Sequence, residues 1–439
     1  MKKTLLALLV ALGSSTSALG ADLLQIYQEA QQNDPTTLQA KARRDAAVSA
    51  VDISRANLLP QISLSMSYGL TRGDADFDDE GATLSLRQSI WSAANWSGYD
   101  RAELVANQAD AAYGQAKQNL ILRVTQAYFD VLRAKDDLEF AQAEKRAIER
   151  QLEQTKQRFE VGLTAITGVH EAQAQYDTAV ANEIAAFNAV EISKEALREI
   201  TGNYYSDIEK LDTSRFSTAS PSPTDINEWQ RMAEEQNLQV LVANIAVDIA
   251  KEDIDIATSG HYPTFDLSGR LNTGKRTINN IEAGDPRAFL NGIRENTQFI
   301  GVEMSLPLYQ GGRVSNNAEA ARFDFVNASE DRERLRRQAT RNVRSNYYDV
   351  TANISSIKAF EQAVVSAESA LRATEAGFEV GTRTIVDVLQ STRNLFDARR
   401  NLSRARYNYV INMMSLKQAA GTLAESDVVA INQGLAAAQ

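Results

Sequence analysis

The residues that most often carry catalytic or metal chemistry are scarce in this sequence. It contains two histidines, His170 and His261, and no cysteine. Because the histidines lie far apart in the chain, a histidine-based metal centre or catalytic triad within one protomer is not expected. A phosphate-binding glycine loop is also missing from the sequence, so a partner must supply the energy for any driven process. We predict that the protein is not an enzyme and that it uses no cofactor or metal.

Three groups of charged residues are candidates for polar sites. Asp387 follows a glycine-containing turn, where the helix dipole would stabilise a carboxylate at a helix N-terminus. The pair Asp136-Asp137 is typical of a solvated helix face. The same interpretation applies to a basic group consisting of Arg332, Arg334, Arg336 and Arg337. The formal net charge of −11 argues against nucleic acid or an anionic surface as a partner.

Asp387 belongs to a stretch that the chain contains twice. Residues 159–169 read Phe-Glu-Val-Gly-Leu-Thr-Ala-Ile-Thr-Gly-Val, and residues 378–388 read Phe-Glu-Val-Gly-Thr-Arg-Thr-Ile-Val-Asp-Val. Each copy stands between two long helical patterns, so it is predicted to be a turn. Gly162 and Gly381 supply the residue that takes positive φ beyond a helix end. The N-caps predicted for the helices that follow are Thr164 and Thr384.

The duplication extends over most of the chain. An offset of 219 residues pairs Tyr128 with Tyr347 and Gly202 with Gly421. Further upstream the offset becomes 203 and pairs Pro60 with Pro263. Self-similarity of this length indicates one structural unit built twice.

The predicted domain boundaries follow from this repeat. Residues 1–21 begin with Lys2 and Lys3, continue with an apolar core and end in small residues. This order predicts a secretory signal peptide. The first repeat covers residues 22–203 and the second covers residues 225–421. The remaining segments, an equatorial linker at 204–224 and a C-terminal equatorial segment at 422–439, are polar and predicted to be irregular.

Each repeat is predicted to contain a short helical segment, two strands, one long helix, the turn and a returning helix. In the first repeat these are residues 23–58, 61–71 with 82–91, 92–159 and 164–202. In the second they are residues 226–260, 265–271 with 300–308, 311–378 and 383–420. The sequence Asn33-Asp34-Pro35 is a possible interruption of the first short helix. Apolar residues in the long helices keep close to a coiled-coil repeat.

The strands alternate apolar and small polar residues, which leaves two interpretations open. One is a soluble β-sandwich layer. The other is a membrane sheet, which we favour because the sequence offers no second sheet to pack against. A closed lipid-facing barrel needs about eight strands or more, so several protomers would each have to contribute a sheet.

Several motifs resemble a known family over nearly the full length of the mature chain. They are Leu58-Leu59-Pro60-Gln61, Ala127-Tyr128-Phe129, Arg158-Phe159, Ile200 to Tyr205, Tyr309-Gln310-Gly311-Gly312 and Ala405 to Tyr409. The family is the TolC family of outer-membrane channels. The resemblance implies an α+β membrane protein and a homotrimer. Its twelve-stranded antiparallel β-barrel in the outer membrane would continue as a twelve-helix α-barrel tunnel in the periplasm.

The resemblance also implies a function. The protein would be the exit duct of tripartite efflux pumps and type I secretion systems, conducting drugs, toxic small molecules and exported proteins. Its partners would be a periplasmic adaptor protein, an inner-membrane pump of RND, ABC or MFS type, and outer-membrane lipid. The alternatives are a general diffusion porin and a structural coiled-coil envelope protein.

The resemblance also implies roles for individual residues, which are those at the positions that match the family's functional residues. Asp387 matches a pore-entrance carboxylate that forms a ring in the trimer, while Gln390 stands where the family often has a second aspartate. Arg383 and Thr167 match residues that tie helical hairpins shut, and Gln157 matches another linking residue. Two gate positions depart from the family, which has an acid at Gly168 and a tyrosine at Phe378. The turns expected to dock the adaptor contain Gly162, Leu163, Gly381 and Thr382.

Overall fold

A computed structural model describes residues 21–73, 76–213, 216–279, 289 and 291–436. The predicted signal peptide therefore lies outside the described residues except for Ala21. The backbone of Ala21 pairs with Ile208 in an isolated parallel bridge. Within the described ranges, no helix combines the length and the apolar character needed to cross a membrane.

The helices and strands follow the same order in both repeats. The first repeat contains α1 (Leu23–Asn33), α2 (Pro35–Ala56), β1 (Gln61–Thr71), β2 (Asp76–Trp91), α3 (Ala93–Glu160) and α4 (Ile166–Thr201). A short strand, β3 (Lys210–Leu211), precedes the second repeat. That repeat contains α5 (Ile226–Gln236), α6 (Leu238–Thr258), a 3-10 turn (Ser259–His261), β4 (Thr264–Asn279), β5 (Arg294–Ser305), α7 (Arg313–Glu379) and α8 (Ile385–Ala419). The chain then forms α9 (Glu425–Asn432) and β6 (Leu435–Ala436).

The order of elements predicted from the sequence is confirmed, including the interruption between α1 and α2. Strand β2 begins at Asp76, earlier than the predicted residue 82, because arginines pair with its acidic residues. Arg72 lies 2.9 Å from the Asp78 carboxylate, and Arg276 lies 2.6 Å from that of Asp79. The two segments predicted to be irregular contain helix α9 and an antiparallel pair formed by β3 and β6.

The chain divides into two compact units, and each repeat contributes to both. One unit consists of the described part of residues 1–40 together with 113–240 and 336–439, and the other of residues 41–112 and 241–335. The first unit is helical apart from β3 and β6. The second contains the four long strands.

The core of the first unit contains the aromatic motif of α3. Tyr128 and Phe129 are completely buried, and the Phe129 ring lies 5.5 Å from the ring of Tyr407. The Tyr128 hydroxyl donates a hydrogen bond to the backbone oxygen of Glu209 at 2.7 Å. Burying each large side chain contributes about 1.5–3 kcal/mol, and the hydrogen bond removes the cost of a buried unpaired hydroxyl.

The second unit contains one antiparallel sheet with strand order β1-β2-β4-β5. Cross-strand pairing places Leu64, Leu84 and Leu271 in one row. Adjacent apolar residues of this face are far from buried: Ile62 is 71% exposed and Ile300 is 75% exposed. Within a single chain, β1 and β5 each pair with only one neighbouring strand, so both are edge strands.

Candidate functional site at the two turns

The two repeated sequences form matching turns between paired helices. In the first turn, residues 161–165, the Gly162 amide donates to the Phe159 carbonyl oxygen at 2.9 Å, and Gly162 has a φ of 76°. In the second turn, residues 380–384, the Gly381 amide donates to the Phe378 carbonyl oxygen at 3.1 Å, and Gly381 has a φ of 79°. The left-handed conformation explains why both positions hold glycine.

The helices that follow the turns begin differently. Thr384 is the N-cap of α8, and its hydroxyl accepts a hydrogen bond from the Asp387 amide at 3.3 Å. This confirms the predicted cap. The N-cap of α4 is Ala165, which has no side-chain hydrogen bond, so the prediction of Thr164 was wrong. The 219-residue offset pairs Ala165, and not Thr164, with Thr384.

Asp387 completes a capping box at the start of α8. Its Oδ2 atom accepts hydrogen bonds from the Thr384 amide and the Thr384 hydroxyl, both at 2.9 Å. The hydrogen bond from the Thr384 backbone, followed by that from its hydroxyl, lowers the pKa of the Asp387 carboxyl below its usual value. Asp387 is therefore held ionised at the helix N-terminus. Gln390, one turn later, is exposed and donates to Asn394 at 2.9 Å.

The two helical hairpins pack together beside the turns. Their shared apolar cluster takes Ile148, Leu152, Ala172 and Ala179 from the first hairpin and Phe378, Ile385, Val388 and Leu389 from the second. Gly168 belongs to the same contact, because a Cβ atom there would lie 3.5 Å from the Ile385 side chain. The position where the family has an acid therefore packs against an apolar residue of α8.

Arg158 forms a polar contact between the hairpins that sequence reasoning missed. Its guanidinium carbon lies 4.5 Å from the centre of the Phe378 ring, and its Nη1 atom donates to the Phe378 carbonyl oxygen at 3.3 Å. An arginine over an aromatic face is stabilised by the ring quadrupole. Phe378 lacks the hydroxyl of the family's tyrosine but still receives a cation. Arg158 lies directly before the repeated stretch, and no local pattern in the sequence connects it with Phe378.

The remaining predicted gate residues are not joined to one another within one chain. Arg383 and Thr167 are exposed, and no hydrogen bond connects their side chains among the residues that the structure describes. The Arg383 stem packs on the backbone at Gly377, where a Cβ atom would lie 2.7 Å from the Arg383 Cγ. The Gln157 side chain donates to Glu153 of the same helix at 3.4 Å. Links between copies of the chain therefore stay a prediction.

Two predictions about solvated helix faces have different outcomes. The arginines of the basic group are all exposed, which confirms that prediction. Asp136 is different, because it accepts hydrogen bonds from Ser403 and from the Tyr407 hydroxyl. Burial raises the pKa of the Asp136 carboxyl, although these hydrogen bonds act in the opposite direction. Its neighbour Asp137 forms a 2.8 Å ion pair with Arg404, so the aspartate pair faces α8 and the earlier interpretation was wrong.

Sequence comparison decides the family. A model of the outer membrane efflux protein family matches residues 26–203 and 229–422, which are nearly the whole of both repeats. The chain belongs to this family. The resemblance to TolC channels is thereby confirmed.

Relatives of the chain match it over its full or nearly full length. It is 47% identical over 444 residues to the outer membrane protein TolC of Vibrio cholerae, with 100% of both chains covered. It is 27% identical over 447 residues to the proteases secretion protein PrtF of Dickeya chrysanthemi, with 98% of this chain and 94% of that protein covered. The protein is an outer-membrane exit channel.

A solved structure shows the same fold. The outer membrane protein VceC of Vibrio cholerae superposes with a TM-score of 0.75 at 20% sequence identity, covering 91% of this chain and 96% of VceC. At this identity the similarity concerns the fold alone. The helical hairpins and the four-stranded sheet therefore belong to the architecture of outer membrane efflux proteins.

Proposed function

We propose that three copies of this chain form one duct that carries drugs, toxic small molecules and proteins across the outer membrane. The observation that carries the proposal is the four-stranded sheet with an exposed apolar face and two unpaired edges, β1 and β5. Lipid supplies no hydrogen bonds to open strand edges, so each edge needs a partner. Pairing β5 of one copy with β1 of the next closes a twelve-stranded barrel, and the helices of three copies form the tunnel.

The turns supply the surface on which a periplasmic adaptor docks in this proposal. Gly162, Leu163, Gly381 and Thr382 are all exposed. Exposed apolar side chains flank the two glycines at Val161, Leu163 and Val380. Such side chains are suited to burial against a partner protein. The adaptor would connect the duct to an inner-membrane pump of RND, ABC or MFS type, and the similarity to PrtF supports protein secretion as one use.

Contacts beside the turns support a gate. Within one chain, Arg158 and Phe378 join the hairpins, and Gly168 packs on Ile385. Arg383 and Thr167 are exposed and available to a neighbouring copy. Three equivalent links, each worth about 0–1 kcal/mol when exposed, together bias a closed-to-open equilibrium by a few kcal/mol. The gate thus combines a contact inside each copy with links between copies.

Asp387 supports a cation-selective entrance. Its Oδ2 is occupied by the capping box, and its lowered pKa keeps the group ionised. In a trimer three such carboxylates would surround one axis and attract cations in a confined passage. Gln390 adds no charge to this ring.

The oligomer mass and the planar-bilayer conductance of the purified protein test the duct. We expect a detergent-stable trimer that forms ion-conducting channels. A monodisperse monomer that is soluble without detergent would refute the proposal.

Substitutions at Asp387 and Arg383 test the carboxylate ring and the gate links separately. Asp387→Asn should reduce cation selectivity and weaken block by divalent cations, whereas Asp397→Asn, the same charge change farther along α8, should leave both unchanged. Arg383→Ser should raise single-channel conductance without dissociating the trimer. Unchanged selectivity in Asp387→Asn would contradict the ring of Asp387 carboxylates. Unchanged conductance in Arg383→Ser would contradict the role of Arg383 in holding the gate closed.

Charged substitutions at the turns test adaptor docking. The double variant Leu163→Glu with Val380→Glu should abolish drug efflux in cells while leaving the trimer intact. Val365→Glu serves as the control, because Val365 is exposed on α7 outside the turns. Docking at the turns is excluded if efflux persists in the double variant.

A further inference from the structure

A cavity lined by amides lies where helices α5 and α6 meet. Its volume is about 390 Å³, and it belongs to the helical unit. Its lining includes Gln115, Gln118, Asn119, Asn237, Gln239 and Asn342. The other lining residues are serines, a leucine, an alanine and further amides, so none of the residues that surround it is charged.

The repeat explains why this space is uncharged. Asn237 and Asn342 correspond to Asp34 and Arg123 of the first repeat through the offsets of 203 and 219 residues. In the first repeat the Arg123 guanidinium lies 2.6 Å from the Asp34 carboxylate. The second repeat has two neutral side chains at these positions, and Asn342 is much shorter than Arg123. Replacing arginine with asparagine leaves room at the joint, and the lining stays polar.

Some of the lining amides are used by the fold. The Gln118 amide nitrogen donates to the backbone oxygens of Gly421 and Leu423 at 3.1 and 3.0 Å. The Asn237 amide nitrogen donates to the Ala419 carbonyl oxygen at 2.9 Å, and Gln418 donates to Asn119 at 2.8 Å. These bonds hold the walls of the cavity in place.

Other lining amides are partly exposed to solvent and, among the described residues, have no protein partner. In the part of the chain that the structure describes, the side chains of Gln115, Gln239 and Asn342 make no hydrogen bond to protein. Each carries two N–H donors and an acceptor oxygen. The cavity therefore presents donors and acceptors together, on walls fixed by the neighbouring amides.

This chemistry selects the class of ligand. An ionised group would find no counter-charge in the lining, and an apolar group would displace water from the amides without replacing its hydrogen bonds, so both are disfavoured. A neutral ligand with donors and acceptors matches the lining, and an acetamido group matches an amide reciprocally through its own N–H and C=O. We propose that this cavity binds an N-acetylated amino sugar, either as a free oligosaccharide or as a unit of a glycan strand.

Titration calorimetry of the full-length protein tests the proposal. The detergent should be lauryldimethylamine oxide, because it has no sugar head group that would compete. We expect N,N′-diacetylchitobiose to bind at least about tenfold more tightly than cellobiose, which has the same linkage with hydroxyls in place of the acetamido groups. No binding of the acetylated disaccharide overturns the site, and equal binding of both disaccharides overturns the acetamido specificity.

The first repeat supplies the variant that fills the cavity. The double substitution Asn237→Asp with Asn342→Arg introduces the Asp34–Arg123 pair at the second joint. It should abolish disaccharide binding while preserving the oligomer mass. Gln362→Arg, which adds an arginine at an exposed position of α7, should bind as the unmodified protein does. Retained binding in the double variant would place the sugar elsewhere and overturn the assignment.

A comparison of ligand lengths distinguishes the two sources. Soluble glycan strands of N-acetylated sugars should bind more tightly per disaccharide unit than the free disaccharide if the natural ligand is a polymer. Equal affinity per disaccharide unit would indicate a free oligosaccharide instead.

Discussion

The two repeats join their short helices with different chemistry. At the first joint, residues 33–35, Asp34 is 1% exposed, and its carboxylate accepts hydrogen bonds from the Thr37 amide at 2.8 Å and from Arg123 at 2.6 Å. At the second joint, residues 236–238, Asn237 accepts from the amides of Gln239 and Val240 at 2.9 and 3.1 Å. Both side chains cap the helix that follows, but only the first carries a charge.

The glycines beside the joints also differ. Gly202 and Gly421 both have positive φ, at 75° and 80°. A Cβ atom added to Gly202 would have no neighbour closer than 4.0 Å, whereas one added to Gly421 would lie 2.2 Å from the Gln236 carbonyl oxygen. The second joint is therefore tight at its backbone and open at its side chains. A duplicated fold thus preserved the geometry of a joint while changing what stabilises it.

The largest expected effect tests the backbone difference. Gly421→Ala should lower the free energy of unfolding by about 3 kcal/mol or more, because it adds steric overlap to the cost of positive φ. Gly202→Ala should cost about 1 kcal/mol, because it carries the conformational cost alone. Denaturant unfolding of both purified variants measures the difference. Equal losses would contradict the distinction between the joints.

A second test removes the charge from one joint. Arg123→Asn should cost about 2 kcal/mol, since Asp34 stays buried without the charged donor of its hydrogen bond. Asn342→Ala, at the matching position of the second repeat, should change stability by less than about 0.5 kcal/mol. The same unfolding measurement applies. The comparison fails if the second substitution is as damaging as the first.

Acid unfolding should show a smaller difference, between the unmodified protein and a variant without the Asp34 carboxylate. Burial opposes ionisation of Asp34, but hydrogen bonds from Arg123 and Thr37 outweigh it and lower the pKa of the carboxyl below its ordinary 3.8. The resulting stability is complete above pH 3.8 and is lost as the pH falls through the lowered folded-state pKa. Asp34→Asn should therefore lower stability at neutral pH and flatten its decline in acid. Parallel acid-unfolding curves for the variant and the unmodified protein would disprove this role.

The smallest effects extend the comparison to the two turns. Thr384→Ala should cost about 1 kcal/mol, because α8 loses its N-cap. Ala165→Ser should stabilise α4 by up to about 1 kcal/mol, because that helix has no side-chain cap. Thermal unfolding of both variants gives opposite shifts of the midpoint. Shifts of the same sign would mean that the turns do not differ in capping.

Element order was predictable because its signals are local. The change from helical to alternating periodicity places the strands, and the repeated glycines place the turns. Proline at residue 35 marks the joint between α1 and α2, since a proline at the first helical position lacks an amide that would be unpaired anyway. The extent of β2 was missed, because its acidic residues depend on arginines elsewhere in the chain.

Site geometry was only partly predictable. The cap formed by Thr384 and Asp387 depends on residues three positions apart, which a sequence shows directly. The contact between Arg158 and Phe378 joins residues 220 positions apart, and no local pattern indicates it. Asp136 was misjudged for the same reason, since its burial depends on Ser403 and Tyr407 of another helix.

The sequence by itself determined the duplication, the order of helices and strands, and the position of both turns. These properties depend on side-chain periodicity and on backbone preferences of glycine and proline, which act over a few residues. Only the tertiary structure decided that an ion pair closes the first joint while an amide-lined cavity lies at the second. Both depend on which side chains from distant helices meet, because hydrogen bonds and burial are set by distances in space and not by spacing along the chain.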